Sequence, residues 1–180
     1  MTTRIAFLRA VNLGTRRVAM PRLVTVLEGL GATDVWTFVN SGNAVFDASG
    51  SRAALEQAIE DALREELGFD VETFVRTAAE LRRDVAEQPF PIAAGDTHFI
   101  TFLKDRPDAA TSRALEQLSN DFDTLVVHGR DVHWRMRGKS TDSKLKKKDW
   151  EIVGKNASTS RNMTMLRRLL AKIDGLGATL

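Results

Sequence analysis

Blocks of apolar and polar residues follow one another along the chain and predict short strands alternating with amphipathic helices. Residues 5–8 are apolar at every position, which is typical of a strand that is covered on both faces. Apolar residues at helical spacing begin at Pro21, and residues 35–39 are rich in β-branched and aromatic types. The turn residues 40–43, Asn-Ser-Gly-Asn, then predict a hairpin.

The first half of the chain continues with a clear helix and another strand. Residues 51–67 place apolar side chains on one helical face, and Gly68 ends the pattern. Residues 71–75 predict the next strand, so the order of elements is β-α-β-β-α-β, which is the ferredoxin-like pattern. Thr77 and Glu80 have the spacing of a capping box and predict a short helix that begins there.

The second half repeats β-α-β-β-α in outline. A strand at residues 98–103 is followed by a helix that begins at Pro107 and by two further strands joined near Gly129. A lysine-rich helical segment at residues 142–152 and a final helix at residues 161–173 complete the prediction.

These patterns predict an α+β fold of two small ferredoxin-like subdomains of the β-α-β-β-α-β type, arranged as a pseudo-duplication. The N-terminal subdomain would span residues 1–88. The C-terminal subdomain, with the basic segment and the terminal helix, would span residues 95–180, and Pro89 and Pro91 would separate the two.

Composition narrows the class of protein. The chain has 180 residues, of which 43% are hydrophobic and 28% charged, as in an ordinary globular protein. The absence of cysteine excludes disulfides, thiolate zinc sites and cysteine nucleophiles. Neither an apolar run long enough to span a membrane nor a signal peptide pattern occurs, so we expect a cytoplasmic protein without a membrane partner.

Charge is distributed unevenly. Residues 129–172 contain 13 Lys and Arg against 4 Asp and Glu, a net charge of +9, so the remainder carries −7 to give the total of +2. One interpretation of this basic segment is a nucleic-acid partner, with Trp150 available for base stacking and Arg135 and Arg137 extending the patch. The alternative interpretation is that the segment is an ordinary solvent-exposed helix face without a nucleic-acid partner. The lysines concerned are Lys144, Lys146, Lys147 and Lys148.

Several familiar chemistries are not supported. The phosphate-loop and dinucleotide glycine motifs are absent, and we expect no cofactor. His98, His128 and His133 are the only histidines and lack a ligand spacing, so no metal site is expected. Ser41 has no nearby base, and no general acid or nucleophile stands out, so the sequence assigns no reaction.

Two other regions are candidates for ligand binding. In residues 157–162 three hydroxyl residues precede the predicted last helix, and Arg161 adds a fork of donors that suits a phosphate or carboxylate. Helix capping accounts for one or two of the hydroxyls. The first loop, residues 9–19, and the hairpin turn, residues 40–43, add amide and basic side chains at a predicted sheet end.

Three strings in this order resemble a known family. They are R-A-V-N-L-G from Arg9, N-S-G-N-A-V-F from Asn40 and S-T-S-R-N from Ser158. Together they resemble the bacterial domain-of-unknown-function family 1697. The resemblance implies a fold of two small α+β subdomains, and the activity of the family is not established. The matching residues are Arg9, Asn12, Gly14, Ser41, Gly42, Asn43, Thr159, Arg161 and Asn162. The chain departs from the family pattern at Ala10, where Gly is usual, and at Met163, where Trp is common.

The leading hypothesis is a protein that binds a small anionic ligand, either a nucleotide or a phosphorylated metabolite. The ligand would lie in a cleft formed by the first loop, the hairpin turn and the N-terminus of the last helix. The predicted ligand-binding residues are Arg9, Asn12, Gly14, Ser41, Asn43, Thr159, Arg161 and Asn162. One alternative is nucleic-acid binding through the basic segment at residues 135–155. Another is a structural or protein-interaction role without a small ligand.

Overall fold

The computed structural model of the chain describes residues 1–177 and divides into two compact units. The first unit is Met1–Leu81 and the second begins at Arg82. The predicted boundary at residues 89–94 lies a few positions further along the chain and stays a prediction. Residues 178–180, with which the predicted second subdomain ends, lie outside the described residues.

The first unit is a four-stranded antiparallel sheet with two helices. The elements are β1 (Thr2–Leu8), α1 (Met20–Gly29), β2 (Thr33–Thr37), β3 (Asn43–Ala48), α2 (Arg52–Leu67) and β4 (Thr73–Thr77), followed by α3 (Ala78–Ala86), within which the first unit ends. The strand order of the sheet is β2-β3-β1-β4. Local sequence explains where α2 begins and ends, because the Ser51 hydroxyl accepts a hydrogen bond from the N–H of Ala54 and Gly68 ends the helix at φ +75°.

The core of the first unit lies between one face of this sheet and the two helices. Alternate residues of β1 and β3 supply the sheet side, and the apolar stripes of α1 and α2 supply the other. The fully buried members include Ala6, Leu8, Ala44, Phe46, Leu23, Leu27, Ile59 and Leu63. The predicted capping box is confirmed, since the Thr77 and Glu80 side chains each accept from the other residue's backbone N–H, at 3.0 and 2.7 Å.

The second unit contains a similar four-stranded sheet. Its elements are β5 (Thr97–Leu103), α4 (Ala109–Glu116), β6 (Asp123–His128), β7 (Asp131–Met136), 3₁₀ helices at Ser140–Asp142 and Lys147–Val153, β8 (Ser158–Asn162) and α5 (Met163–Gly177). The strand order is β6-β7-β5-β8, and every pair is antiparallel. The prediction of an α+β fold with two similar halves is therefore confirmed.

Two predicted elements of the second unit were wrong. The lysine-rich segment is not one helix but two short 3₁₀ helices, of which the second packs Trp150 and Val153 against the core. Residues 158–162 are not a loop that leads into the last helix. They form the edge strand β8, in which Thr159 pairs with Phe102 and Arg161 with Ile100 of β5. Strand pairing, which depends on distant residues, outweighs the local resemblance to a helix cap.

The first loop contains backbone strain. Ala10 and Asn12 adopt φ of +50° and +57°, the left-handed region that favours glycine. Asn tolerates this conformation because its side chain can hydrogen-bond locally, but Ala has no such compensation. Position 10 is therefore one at which glycine would fit with less strain.

We expect Ala10→Gly to stabilise the protein by about 0.5–1 kcal/mol, because relief of the left-handed strain exceeds the extra chain entropy of glycine. Urea unfolding measures this change. Ala53→Gly, in the exposed first turn of α2, is the matched control and should destabilise by up to about 1 kcal/mol. Equal destabilisation by both substitutions would contradict the strain at position 10.

Candidate functional site

In the first unit, Asn12 ties the first loop to the hairpin turn. Its side-chain Nδ2 donates to the carbonyl oxygen of Asn40 at 2.7 Å, and its Oδ1 accepts from the N–H of Val18 at 2.9 Å. The backbone N–H of Asn12 donates to Arg16 at 2.7 Å. Two of these bonds engage the side chain and one the backbone, so Asn12 has a clear structural role in the loop and the turn.

The hairpin turn is organised around a buried amide. Asn43 is fully buried, and its Nδ2 donates to the carbonyl of Phe38 and to the Ser41 hydroxyl, both at 2.9 Å. Gly42 packs closely against the end of β1 and the first loop, since a Cβ at this position would lie 2.9 Å from Cβ of Leu8 and 2.5 Å from Cγ2 of Val11. The predicted residues of this turn therefore determine its shape.

The other two predicted residues of the first loop differ in their surroundings. Arg9 is half-buried, and its backbone N–H donates to the carbonyl of Glu72 at 2.8 Å. Gly14 is exposed at the loop tip with φ +58°. A cavity of about 400 Å³ lies beside the loop, lined by Asn12, Arg17, Val18, Ala19, Met20 and Asn40. The five predicted residues of this unit thus belong to one loop-and-turn region, and their part in ligand binding stays a prediction.

In the second unit, the predicted residues lie together on β8. Arg161 Nη1 donates to the hydroxyl of Thr159 and to the carbonyl of Ser160, both at 3.0 Å. Burial lowers the pKa of Arg161 to about 10, so the group stays charged at neutral pH. Asn162 caps α5, because its Oδ1 accepts from the N–H of Thr164 at 2.8 Å.

A pocket of about 210 Å³ lies at the start of α5, and we call it the α5 pocket. Asn162 is the one predicted site residue that lines it. Its wall combines polar, charged and apolar side chains from α5, from β5 and from the segment that precedes β5. The lining residues are Gln88, Phe90, Ile92, Asp96, Thr97, His98, Asn162, Met163, Thr164 and Arg167.

Two charged side chains of the α5 pocket have hydrogen-bonding atoms without a partner in the described part of the chain. Arg167 is exposed, and its guanidinium has no hydrogen bond or ion pair within residues 1–177. Asp96 accepts from the N–H of Ala93 through Oδ2 at 3.0 Å, whereas its Oδ1 has no partner in the described part of the chain. A cation and a carboxylate oxygen are therefore both available to a ligand.

His98 forms part of the pocket wall and is 8% exposed. Its Nε2 lies 3.1 Å from Nδ1 of His133 on the neighbouring strand, and one of the two nitrogens donates to the other. Nδ1 of His98 has no hydrogen bond among the described residues, so it is the ring nitrogen left for a ligand. Desolvation by burial, with a smaller contribution from Arg167, lowers the pKa of His98 to about 4.

An arginine holds the wall segment of the pocket in place. Arg135 Nη1 donates to the carbonyl of Pro91 at 3.1 Å, and its guanidinium lies 5.6 Å from the ring centroid of Phe90. Phe90 in turn packs edge-on against His98, with ring centroids 5.1 Å apart. The apolar wall is thus positioned from β7.

The three histidines are neighbours in the second unit, with His133 between the other two, and the sequence did not predict this arrangement. His133 is fully buried, burial lowers its pKa to about 4, and its ring centroid lies 6.0 Å from that of His128. His128 Nδ1 lies 3.7 Å from an oxygen of Asp84. The signal would have been the strand register, which makes His98 and His133 diagonal neighbours on one sheet face. Among the described residues, no group of three His, Asp or Glu side chains is arranged to hold a metal ion.

The basic segment is held to the second unit by a buried carboxylate. Asp123 is fully buried and accepts from the Trp134 indole, the Ser143 hydroxyl and the N–H of Lys144, at 2.9, 2.7 and 2.9 Å. Trp150 packs against Trp134, with ring centroids 5.3 Å apart. Trp150 therefore contributes to the core, which leaves less of its ring for base stacking than the sequence suggested.

The buried histidine pair predicts acid sensitivity. Folded His98 and His133 stay neutral down to a pKa of about 4, whereas in the unfolded chain they bind protons below about pH 6.5. The unfolded state thus binds more protons between these values, and each of the two histidines should lower the stability by about 2.5 kcal/mol as the pH decreases from 6.5 to 4.

Urea unfolding at a series of pH values measures this loss. The control is a double variant, His98→Leu with His133→Leu, which retains the carboxylates that also titrate in this range. Its stability should depend less steeply on pH than that of the unmodified chain. If the stability of the two proteins depends on pH in the same way, the acid sensitivity does not come from His98 and His133.

The structure defines an α+β protein of two four-stranded units, with a cavity of about 210 Å³ in the second. A family model described as a protein of unknown function, DUF1697, matches residues 1–133. The chain belongs to this family. The match includes the first two of the three motifs, and the third, on β8, lies beyond it.

The solved structure of the conserved bacterial protein SP0830 from Streptococcus pneumoniae has a similar fold. The TM-score is 0.73 at 18% sequence identity, and the alignment covers 97% of this chain and 99% of that one. No curated protein matches the chain significantly. Within residues 1–177, the helices are too short or too polar to cross a membrane.

Proposed function

We propose that the protein binds a small anionic ligand in the α5 pocket. The observation that carries this proposal is the unpartnered guanidinium of Arg167, which lies in the same pocket as the first turn of α5. An α-helix begins with N–H groups that lack helical partners and with a partial positive charge. Asn162 satisfies one of these groups, and an oxyanion would complement the remainder together with Arg167.

A second observation supports a ligand rather than ordinary helix capping. His98 is more than nine-tenths buried, yet its Nδ1 has no hydrogen bond within the described residues. This nitrogen is not sealed from solvent, so it is open to a hydrogen bond with a ligand in the pocket. A ligand in the pocket would therefore satisfy both a charged and a neutral group of the wall.

The size of the pocket limits the ligand. Pockets that enclose drug-sized ligands have volumes of roughly 300–1,000 Å³, whereas this one has about 210 Å³. A whole nucleotide would extend well beyond it. A small carboxylate or a small phosphorylated metabolite is therefore the better match.

An Arg167→Gln substitution tests this proposal. We expect acetate and inorganic phosphate at millimolar concentrations to raise the melting temperature of the unmodified protein. The substitution should weaken anion affinity about tenfold or more, since a charge-assisted hydrogen bond contributes roughly 1.5–3 kcal/mol. Thermal shift assays over an anion titration measure the change.

Arg83→Gln is the matched control, since Arg83 is an exposed arginine in α3 that does not line the pocket. This variant should retain the full anion response. If both substitutions weaken the response equally, or if no anion stabilises the unmodified protein, the proposed site is wrong.

The alternative function is nucleic-acid binding through the basic segment, residues 135–155. Lys146, Lys147 and Lys148 are exposed and consecutive, which supports it. Lys144 is already paired with Asp121 at 2.5 Å. We expect that, under this alternative, binding of a single-stranded oligonucleotide would weaken steeply with salt.

Replacing Lys146, Lys147 and Lys148 by Gln should then reduce both the affinity and its salt dependence. Fluorescence anisotropy at several salt concentrations measures both quantities. Binding that does not change in this triple variant would exclude the basic segment as the interface. A third reading, a protein partner without a small ligand, predicts that neither anions nor oligonucleotides bind.

We also infer that each unit is a variant of the ferredoxin-like arrangement and that the protein is cytoplasmic. The strand orders β2-β3-β1-β4 and β6-β7-β5-β8 support the first inference, because in both sheets the first strand lies between the third and the fourth. The second inference is based on the composition of the sequence alone.

A further inference from the structure

We propose that the ligand of the α5 pocket is a zwitterion, a small α-amino acid with an apolar side chain. This inference rests on the proposed function, because it names the class of ligand for the same site.

Opposite charges are kept apart within one small pocket. Arg167 and Asp96 both line the α5 pocket, but no ion pair joins them within the described residues. Elsewhere in the same unit, exposed groups of opposite charge do pair, as Arg82 does with Asp174 at 2.6 Å. A ligand that carries both charges would complement both groups, with its carboxylate at Arg167 and its ammonium group at Asp96.

The charge balance of the pocket favours a zwitterion over a phosphate dianion. Arg167 contributes one positive charge and Asp96 one negative charge. His98 adds none at neutral pH, because burial lowers its pKa to about 4. A dianion would bring two negative charges next to the Asp96 carboxylate, whereas a zwitterion leaves the site neutral.

The rest of the wall suits a short apolar side chain. Phe90, Ile92 and Met163 form the apolar part of the lining, and Ile92 is 46% exposed. A side chain of the ligand would bury this surface. The volume of about 210 Å³ limits the ligand to the size of a single amino acid.

Isothermal titration calorimetry with three related probes tests the inference. L-leucine carries both charges, 4-methylpentanoate lacks the amine and isopentylamine lacks the carboxylate. We expect L-leucine to bind about tenfold or more tightly than either of the other two, since each charge-assisted bond contributes to affinity.

Two substitutions test which residue of the pocket binds each charged group of the ligand. Asp96→Asn retains an acceptor for the N–H of Ala93 and should lower the affinity for L-leucine to that for 4-methylpentanoate, whose own affinity should not fall. Arg167→Gln should weaken L-leucine and 4-methylpentanoate alike, by about tenfold, and should leave isopentylamine unchanged.

The outcomes separate this inference from the function on which it rests. If 4-methylpentanoate or inorganic phosphate binds in an Arg167-dependent way and L-leucine binds no more tightly, the zwitterion is wrong and the anion site stands. If L-leucine binds equally well in the Asp96→Asn variant, the inference is also overturned. If none of the probes and no phosphate binds, both proposals fail.

Discussion

The pairing of β8 with β5 determines where the last helix begins, and the candidate site depends on that position. Asn162 lies opposite Phe99 at the end of the ladder, so α5 starts at Met163 close to the first residues of β5. This register places the cap residue Asn162 and the helix residue Arg167 in the same wall as Thr97 and His98. A shift of one residue would turn every β8 side chain to the opposite face of the sheet and would move the start of the helix.

The periodicity of the sequence was sufficient to predict most of the fold. Apolar runs, turn residues and helix caps predict the order of strands and helices in the first unit, because each of these signals lies within a few consecutive residues. The string S-T-S-R-N was misread because Ser and Thr are typical of helix caps, whereas the pairing that makes these residues a strand involves β5, about 60 positions earlier. The basic segment was misread for a related reason, since the buried Asp123 and the packing of Trp150 determine its course.

The candidate site was less predictable than the fold. Asn162 was identified from its position before an apolar helix, but Arg167, Asp96 and His98 were not. Each of these three residues is ordinary in its local sequence and becomes notable only when the fold brings it beside the others. Asn12 of the first loop and Asn43 of the hairpin turn have structural roles, because their amides are hydrogen-bonded within the loop and the turn. Ligand binding by the predicted residues of the first unit stays a prediction.

Gly42 and Gly14 show how differently two glycines constrain the variation of a protein sequence. At Gly42 a Cβ would lie 2.5 Å from Val11 and 2.9 Å from Leu8, and φ is +75°. At Gly14 nothing lies within 4 Å of such an atom, and only φ of +58° opposes a side chain. A library of variants should therefore tolerate Asn or Asp at position 14, which accept left-handed backbone, and should retain only glycine at position 42.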